Sequence, residues 1–204
     1  MENRILSFVE AAMSRRTLLR GSLVVAGAAL AKDILFTDLH GSAANLPDDL
    51  AILNFALTLE HLEDVAYRMA IASGKLTGTA LAAAQDYGAQ EASHVMTLTG
   101  AISMAGGTPV AEGTKYNFPA YTDQASIISF LRVLEDTGVG AYTGAARFIK
   151  DKGILTVAGG IVQVEARHAA VLRILDGDMP VLGALDQVLT PDQTLAAAGP
   201  LLGS

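Results

Sequence analysis

The sequence predicts an all-α protein in which four long helices form a bundle and a short helix follows near the C-terminus. The 204 residues are 51% hydrophobic but only 5% aromatic, with no tryptophan. This composition favours close-packed helices over β-sheets, which are richer in aromatic and β-branched residues. Apolar residues recur at the spacing of a helix face in four segments. In each segment the same face also carries glutamate, which makes the pattern more than an ordinary apolar core.

Capping residues and glycines give the boundaries of the predicted helices. Acidic residues in a first turn favour a helix start, and a glycine after the last turn favours a helix end. On these signals the long helices are predicted at about 47–73, 79–105, 124–152 and 154–176. A short last helix is predicted to begin at Thr190, followed by Pro191.

The connections predict the topology of the bundle. The first and second helices are joined by a short turn, as are the third and fourth, so each pair is predicted to be antiparallel. About 15 residues separate the second helix from the third, and at ~3.3 Å per residue they can span ~50 Å. A helix of this size is ~40 Å long. The sequence therefore predicts one long crossover that runs from end to end of the bundle.

One sequence unit occurs twice and points to a metal site. A lone glutamate is followed some 30 residues later by Glu-x-x-His, first with Glu60 and then with Glu135. The six candidate metal ligands are Glu60, Glu91, His94, Glu135, Glu165 and His168. A four-helix bundle that holds two carboxylate-bridged metals takes a Glu from two helices and Glu-x-x-His from the other two. A single Glu-x-x-His carries little information, but two with matched upstream partners predict a dinuclear centre.

Charge favours the same interpretation. The six residues lie on the stripes that build the apolar core, and each buried ion costs several kcal/mol to desolvate. Two divalent ions would balance the four carboxylates. Oxygen-rich sites with imidazole suit iron or manganese better than soft metals. Because the chain has no cysteine, thiolate zinc sites, iron–sulfur clusters and disulfides are excluded.

Other polar residues near the motif fit more than one role. Tyr67 and Tyr142 each follow a lone glutamate by seven residues and share its helix face. Hydrogen bonding to ligands, redox activity and simple packing remain open for both. Glu63 is predicted to be a surface residue, with an additional ligand as the alternative. His61 is predicted to face away from the centre, and His40 in the linker carries no signal.

The N-terminal residues predict export. Ser14-Arg15-Arg16-Thr17-Leu18-Leu19-Arg20 resembles a twin-arginine export signal, and an apolar stretch follows. The stretch ends in Ala29-Leu30-Ala31, a small-x-small cleavage pattern. We therefore predict a signal over 1–31, a linker over 32–46 and the bundle over 47–204. An uncleaved membrane anchor is the alternative, although the apolar stretch is shorter than the ~20 residues of a spanning helix.

Net charge argues against nucleic acid as a partner. Residues 1–31 contain four basic and two acidic side chains, so the remainder has ten basic and 19 acidic residues, a net charge of −9. A nucleic-acid interface needs a basic patch, and none is present. After removal of the signal, no segment is apolar enough to cross a membrane.

With these motifs the chain resembles the ferritin-like superfamily, and within it the exported bacterial proteins described as ferritin-like domain or desiccation-associated proteins. The resemblance covers about 47–202 and rests on residues 54–63, the two Glu-x-x-His units and the tail 189–195. It implies a ferritin-like four-helix bundle in which the same six residues bind the metals. Rubrerythrins carry an additional cysteine-rich module, which is absent here.

The resemblance and the motif together predict a redox function outside the cytoplasm, in the periplasm or secreted. Oxidation of ferrous iron by dioxygen or peroxide, and removal of peroxide as in manganese catalases, both fit this prediction. A stress or desiccation protein in which metals only stabilise the bundle is one alternative, and a metal-storage shell is another. A homodimer is the predicted assembly for a small acidic bundle.

Overall fold

The computed structural model describes residues 48–203. The predicted export signal, the linker and His40 lie outside this part of the chain and remain predictions. The described part contains α1 (Asp49–Ala72), α2 (Gly78–Met104), α3 (Gln124–Ala146), α4 (Lys152–Leu175) and α5 (Pro191–Ala198), followed by a 3-10 turn at Gly199–Leu201. The prediction of an all-α four-helix bundle with a short C-terminal helix is confirmed.

Side-chain caps explain most helix starts. Asp123 precedes α3 and accepts a hydrogen bond of 2.8 Å from the backbone N–H of Ser126. Thr190 precedes α5 and forms a reciprocal capping box with Gln193. Gly106 ends α2 with a φ of 84°, a left-handed conformation that costs glycine no steric strain.

The boundary between α3 and α4 differs from the prediction. Gly153 was expected to terminate the third helix, but α3 ends at Ala146 and Gly153 lies in the first turn of α4. Asp151 caps α4 by accepting a hydrogen bond of 3.0 Å from Ile154 N–H. Asp49 at the start of α1 accepts hydrogen bonds from the backbone N–H groups of Lys150 and Asp151, at 2.9 and 2.7 Å. These contacts fix a turn where glycine alone suggested a helix end.

The crossover between α2 and α3 runs along α1. Near its beginning, the N–H of Val110 donates a hydrogen bond of 2.7 Å to Oδ1 of Asn54, close to the start of α1. Near its end, the hydroxyl of Tyr121 donates a hydrogen bond of 3.2 Å to the carbonyl of Ala66. The crossover therefore runs parallel to α1, so α3 begins at the end of the bundle where α1 finishes. This confirms the predicted long crossover.

Two apolar clusters bracket a polar layer in the middle of the bundle. One contains Leu62, Ala66 and Leu131, and the other contains Leu57 and Leu98. The six residues of the predicted metal site lie along the helices between these clusters. None of the helices between residues 48 and 203 is long and apolar enough to cross a membrane.

Candidate metal centre

All six predicted ligands converge between the four long helices. α1 supplies Glu60, α2 supplies Glu91 and His94, α3 supplies Glu135, and α4 supplies Glu165 and His168. All are buried, and the four glutamates have 0% exposure. The structure brings them together, while their role as metal ligands remains a prediction.

The six residues form two overlapping groups. In the first group, ligand atoms of Glu60, Glu91, His94 and Glu165 all lie within 4.8 Å of one another. The second group, with the same spacing, is Glu91, Glu135, Glu165 and His168. Glu91 and Glu165 belong to both groups. This sharing is the arrangement required if those two carboxylates bridge a pair of cations.

The Nδ1 atoms of both histidines point at the carboxylates. His94 Nδ1 lies 2.8 Å from Glu165 Oε1, 3.1 Å from Glu91 Oε2 and 3.2 Å from Glu60 Oε2. His168 Nδ1 lies 3.0 Å from Glu91 Oε1 and 3.3 Å from Glu135 Oε1. The Nδ1 atom of each histidine thus lies near one lone glutamate and near the two shared glutamates, Glu91 and Glu165, although His168 is farther from Glu165, at 3.8 Å.

Several of these atoms lack a hydrogen-bond partner, although they are close together. The atoms are Glu60 Oε2, Glu91 Oε1, Glu135 Oε2, both carboxylate oxygens of Glu165, and His168 Nδ1. Buried polar atoms in folded proteins are normally paired. Oxygen and imidazole donors that converge in this way are compatible with metal binding.

No other cation compensates these carboxylates in the described residues. Across residues 48–203, the only ion-pair partners of the four site glutamates are His94 and His168. Arg68 pairs instead with Asp64 and Glu112 near the surface. The charge argument for metals made from the sequence therefore applies to the folded protein as well.

Proton affinities at the site are strongly perturbed in the metal-free protein. Burial and the charge of Glu165 raise the pKa of Glu91 to about 7. Burial, together with the charges of Glu135 and Glu60, raises the pKa of Glu165 well above its ordinary value. Burial opposes protonation of His168, but its approach to Glu135 and Glu91 raises its pKa to about 10. These shifts favour the protonated forms of Glu91, Glu165 and His168 when no metal is bound.

The two tyrosines bind the lone glutamates crosswise. Tyr67 on α1 donates a hydrogen bond to Oε1 of Glu135 on α3. Tyr142 on α3 donates one of 2.5 Å to Oε1 of Glu60 on α1. Hydrogen bonding, one of the roles left open by the sequence, is thus the one that the structure shows.

Two further residues hold His168 and were not identified from the sequence. The ring of Tyr87 stacks on the imidazole of His168 with a centroid distance of 4.1 Å. Nε2 of His168 lies 3.0 Å from Oε1 of Gln90. Together they fix the ring so that Nδ1 points inward. The sequence gives little indication of this role. Both residues lie within four positions of Glu91, but tyrosine and glutamine are not residue types that mark a metal site.

Glu63 is buried beside the centre, so the prediction of a surface position is wrong. Glu63 is 2% exposed, and its Oε2 atom has no hydrogen-bond partner. It fits because Gly138 stands opposite: a Cβ atom at Gly138 would lie 3.0 Å from Glu63 Oε1. Burial, followed by the charges of Glu165 and Glu135, raises the pKa of Glu63 well above its ordinary value.

His61 faces away from the centre, as predicted. Its Nε2 lies 3.2 Å from the carbonyl oxygen of Val110 in the crossover. His61 therefore contributes to the contact between α1 and the crossover and not to the candidate metal site.

Comparison with protein-family models relates the chain to a known family. A protein-family model described as ferritin-like domain matches residues 48–178, which is more than half of the chain. The matched segment contains the four long helices and all six candidate ligands. No curated protein sequence matches the chain.

Proposed function

The chain belongs to the ferritin-like domain family, and from this premise we propose that it is a redox protein with two divalent iron or manganese ions. Its substrate would be ferrous iron, with dioxygen or peroxide as the oxidant, or peroxide alone. The observation that carries the proposal is the sharing of Glu91 and Glu165 between the two ligand groups. A carboxylate has two oxygens and can bridge two ions, which a single-metal site would not require.

The protein side chains have distinct tasks in this proposal. Together with the shared Glu91 and Glu165, Glu60 and His94 would bind one metal ion. Glu135 and His168 would bind the other. Tyr142 and Tyr67 orient the lone glutamates through their hydrogen bonds. The apolar clusters on either side exclude bulk water, which strengthens electrostatic interactions within the site. When bound, the two metals would supply the electrons for reduction of the oxidant.

The first experiment is elemental analysis of protein purified from its native compartment. We expect about two iron or manganese ions per chain, as the bridged arrangement implies. The metal found then selects the assay, either oxidation of ferrous iron or disproportionation of peroxide. A value near zero that anaerobic addition of metal does not raise would contradict the proposal.

Single substitutions test whether turnover depends on the candidate metal site or only on an intact bundle. Glu91→Gln and Glu165→Gln each remove a shared carboxylate, so we expect loss of turnover and of at least one bound ion while the helical circular dichroism is retained. Glu112→Gln is the matched control, because Glu112 is 44% exposed and forms its ion pair with Arg68, away from the site. Full activity in both site variants would refute the redox function.

A structural role for the metals is the second candidate, and the burial of the site favours it. His94, the most exposed of the six residues, is 8% exposed, and closed sites are typical of structural metals. A large drop in melting temperature on metal removal, without turnover by the loaded protein, would support this candidate.

Sedimentation of the purified protein tests storage, because a monomer or dimer cannot enclose a mineral.

We propose a location outside the cytoplasm from the Arg15-Arg16 motif. The twin-arginine route exports folded proteins, so metal can be loaded before export. Replacing both arginines by lysine should retain the protein in the cytoplasm, as fractionation would show. Unchanged export of this variant would contradict the twin-arginine assignment.

A further inference from the structure

An apolar cavity of about 20 Å³ lies one helical turn from the Glu60 end of the candidate metal centre. Its lining residues come from all four long helices and, with Ile149, from the turn between α3 and α4. Ala56 precedes Glu60 by four residues and Leu98 follows His94 by four, which places both one turn from a candidate ligand. The cavity and the metal centre therefore adjoin along the bundle axis.

Tyr142 separates the cavity from the site. Its ring lines the cavity, and its hydroxyl donates a hydrogen bond of 2.5 Å to Glu60. Two lining residues, Ala56 and Ile149, are partly exposed, while the other nine are buried. The side of the cavity toward solvent therefore lies at Ala56 and Ile149, and the opposite side is closed by Tyr142.

The lining selects the kind of molecule that can enter. Tyr142 has the only polar side chain among the lining residues, and its hydroxyl is already bound to Glu60. Water or hydrogen peroxide would lose hydrogen bonds on entering. Apolar cavities stay dry and bind apolar molecules such as xenon. A space of this volume holds one molecule of about the size of water, and dioxygen is only slightly larger.

We infer that this cavity binds dioxygen on its way to the metal position formed by Glu60, Glu91, His94 and Glu165. The inference rests on the proposed redox function and narrows its oxidant to dioxygen. Tyr142 is a positioning residue in this route, since it stands between the cavity and Glu60. Dioxygen is bound here without any chemical step, so no bond forms or breaks in the cavity.

Xenon binding tests the cavity without relying on activity. In crystals of the metal-loaded protein under xenon pressure, we expect a xenon peak between Leu98, Ala145 and Tyr142. Ala145→Leu fills the cavity from the buried side and should abolish the peak. Ala56→Leu narrows the cavity at its partly exposed side and is the second variant, because that position tolerates added volume better. Absence from the wild-type cavity of both xenon and the smaller krypton, tested in the same way, would overturn the inference.

Kinetics test the route. With dioxygen below saturation, Ala145→Leu and Ala56→Leu should lower the rate constant of metal oxidation by about tenfold, with the rate for peroxide unchanged. Ala198→Leu is the matched control, since Ala198 lines a different cavity of about 20 Å³ beneath α5. Unchanged dioxygen kinetics in both cavity variants would overturn the route.

The two proposals fail in different ways. Wild-type protein that binds two metals and turns over peroxide but consumes no dioxygen would overturn the assignment of dioxygen and leave the redox function standing. Wild-type protein that binds two metals but turns over neither oxidant would overturn both. Wild-type protein that consumes dioxygen but shows neither xenon nor krypton in the cavity would overturn the cavity inference alone.

Discussion

The hydroxyl of Tyr142 on α3 donates a hydrogen bond of 2.5 Å to Oε1 of Glu60 on α1. Tyr67 on α1 makes the reciprocal contact with Glu135 on α3. Each lone glutamate therefore directs Oε1 to a phenol of the facing helix, while its other carboxylate oxygen, Oε2, has no hydrogen-bond partner. The pair of contacts links α1 to α3 at the level of the candidate metal site.

Removal of the Tyr142 hydroxyl should destabilise the metal-free protein without removing a ligand. In Tyr142→Phe we expect the free energy of unfolding to fall by about 1.5–3 kcal/mol, because the bond is buried and its acceptor is a carboxylate. Denaturant titration measures the loss, and elemental analysis should show an unchanged metal content. Loss of a metal ion from this variant would mean that Tyr142 does more than orient Glu60.

Tyr121→Phe is the control for that variant. The Tyr121 hydroxyl also links an element to α1, through a hydrogen bond of 3.2 Å to the carbonyl of Ala66. The acceptor here is neutral and the tyrosine is half-buried, so its loss should cost about 1 kcal/mol or less. Equal losses in the two variants would contradict a special role for the carboxylate.

Metal uptake should release protons. Burial disfavours the charged form of His94, but the charge and hydrogen bonds of Glu60 raise its pKa, and the pKa of His168 is about 10. We therefore expect both imidazoles to be protonated at pH 7 in the metal-free protein. Since metals bind the neutral imidazole, we expect about two protons from the histidines for each pair of ions bound, with more from the protonated glutamates.

Calorimetry in buffers of different ionisation enthalpy measures this release. The apparent metal affinity should rise with pH, because fewer protons need to be displaced. The same titration of a Glu112→Gln variant should match the wild type, since Glu112 lies outside the site. Binding heats that do not depend on the buffer would contradict coordination by His94 and His168.

The stability of the metal-free protein should fall as pH rises. A group whose pKa is higher in the folded than in the unfolded state stabilises the folded protein. This stabilisation is fully present below the unfolded pKa and is lost as pH rises through the folded pKa. For Glu91, burial and the charge of Glu165 raise the pKa from 4.5 to about 7, so on the order of 3 kcal/mol should be lost across that interval. Glu63 shifts in the same direction, with burial as the main cause.

Glu63→Gln tests the contribution of the buried fifth carboxyl. Glutamine keeps the shape of the protonated acid but cannot ionise, so the variant should lose less free energy of unfolding between pH 5 and pH 9 than the wild type does. Denaturant titrations at several pH values give this slope. A slope as steep as that of the wild type would show that Glu63 does not ionise in this range.

Much of the site could be predicted because helical spacing alone determines which residues share a face. The stripe that contains Glu60 also contains the apolar residues of α1, and the same is true of Glu91 on α2. Convergence of the six side chains follows once four such faces pack together. The helix starts at Asp123 and Thr190 were predictable for a similar reason, since capping depends on local sequence.

The remaining features depend on which helix lies opposite. A spacing of seven residues places Tyr67 on the face of Glu60 but does not show that its hydroxyl binds Glu135 on α3. Glu63 lies at the edge of the stripe, and its burial requires the space left by Gly138 on the facing helix. Neither contact leaves a pattern within one helix, so neither could be read from a single sequence.

Two glycines inside helices should respond in opposite ways to alanine. A Cβ atom at Gly144 on α3 would lie 1.7 Å from the carbonyl oxygen of Leu189, which also donates its N–H to Gly140 at 3.0 Å. Gly160 on α4 is exposed, and a Cβ atom added there would have no other atom within 4 Å. Gly144→Ala should therefore displace the segment that leads into α5 and cost about 1–3 kcal/mol.

Gly160→Ala should instead stabilise the protein by roughly 0.5–1 kcal/mol, because alanine loses less conformational entropy in a helix. Denaturant midpoints of the two variants, measured at one pH with metal removed, give the comparison. If Gly144→Ala were as stable as the wild type, the contact of Leu189 with α3 would not be present in solution. If Gly160→Ala were destabilised, that face of α4 would be covered by a contact absent from the isolated chain.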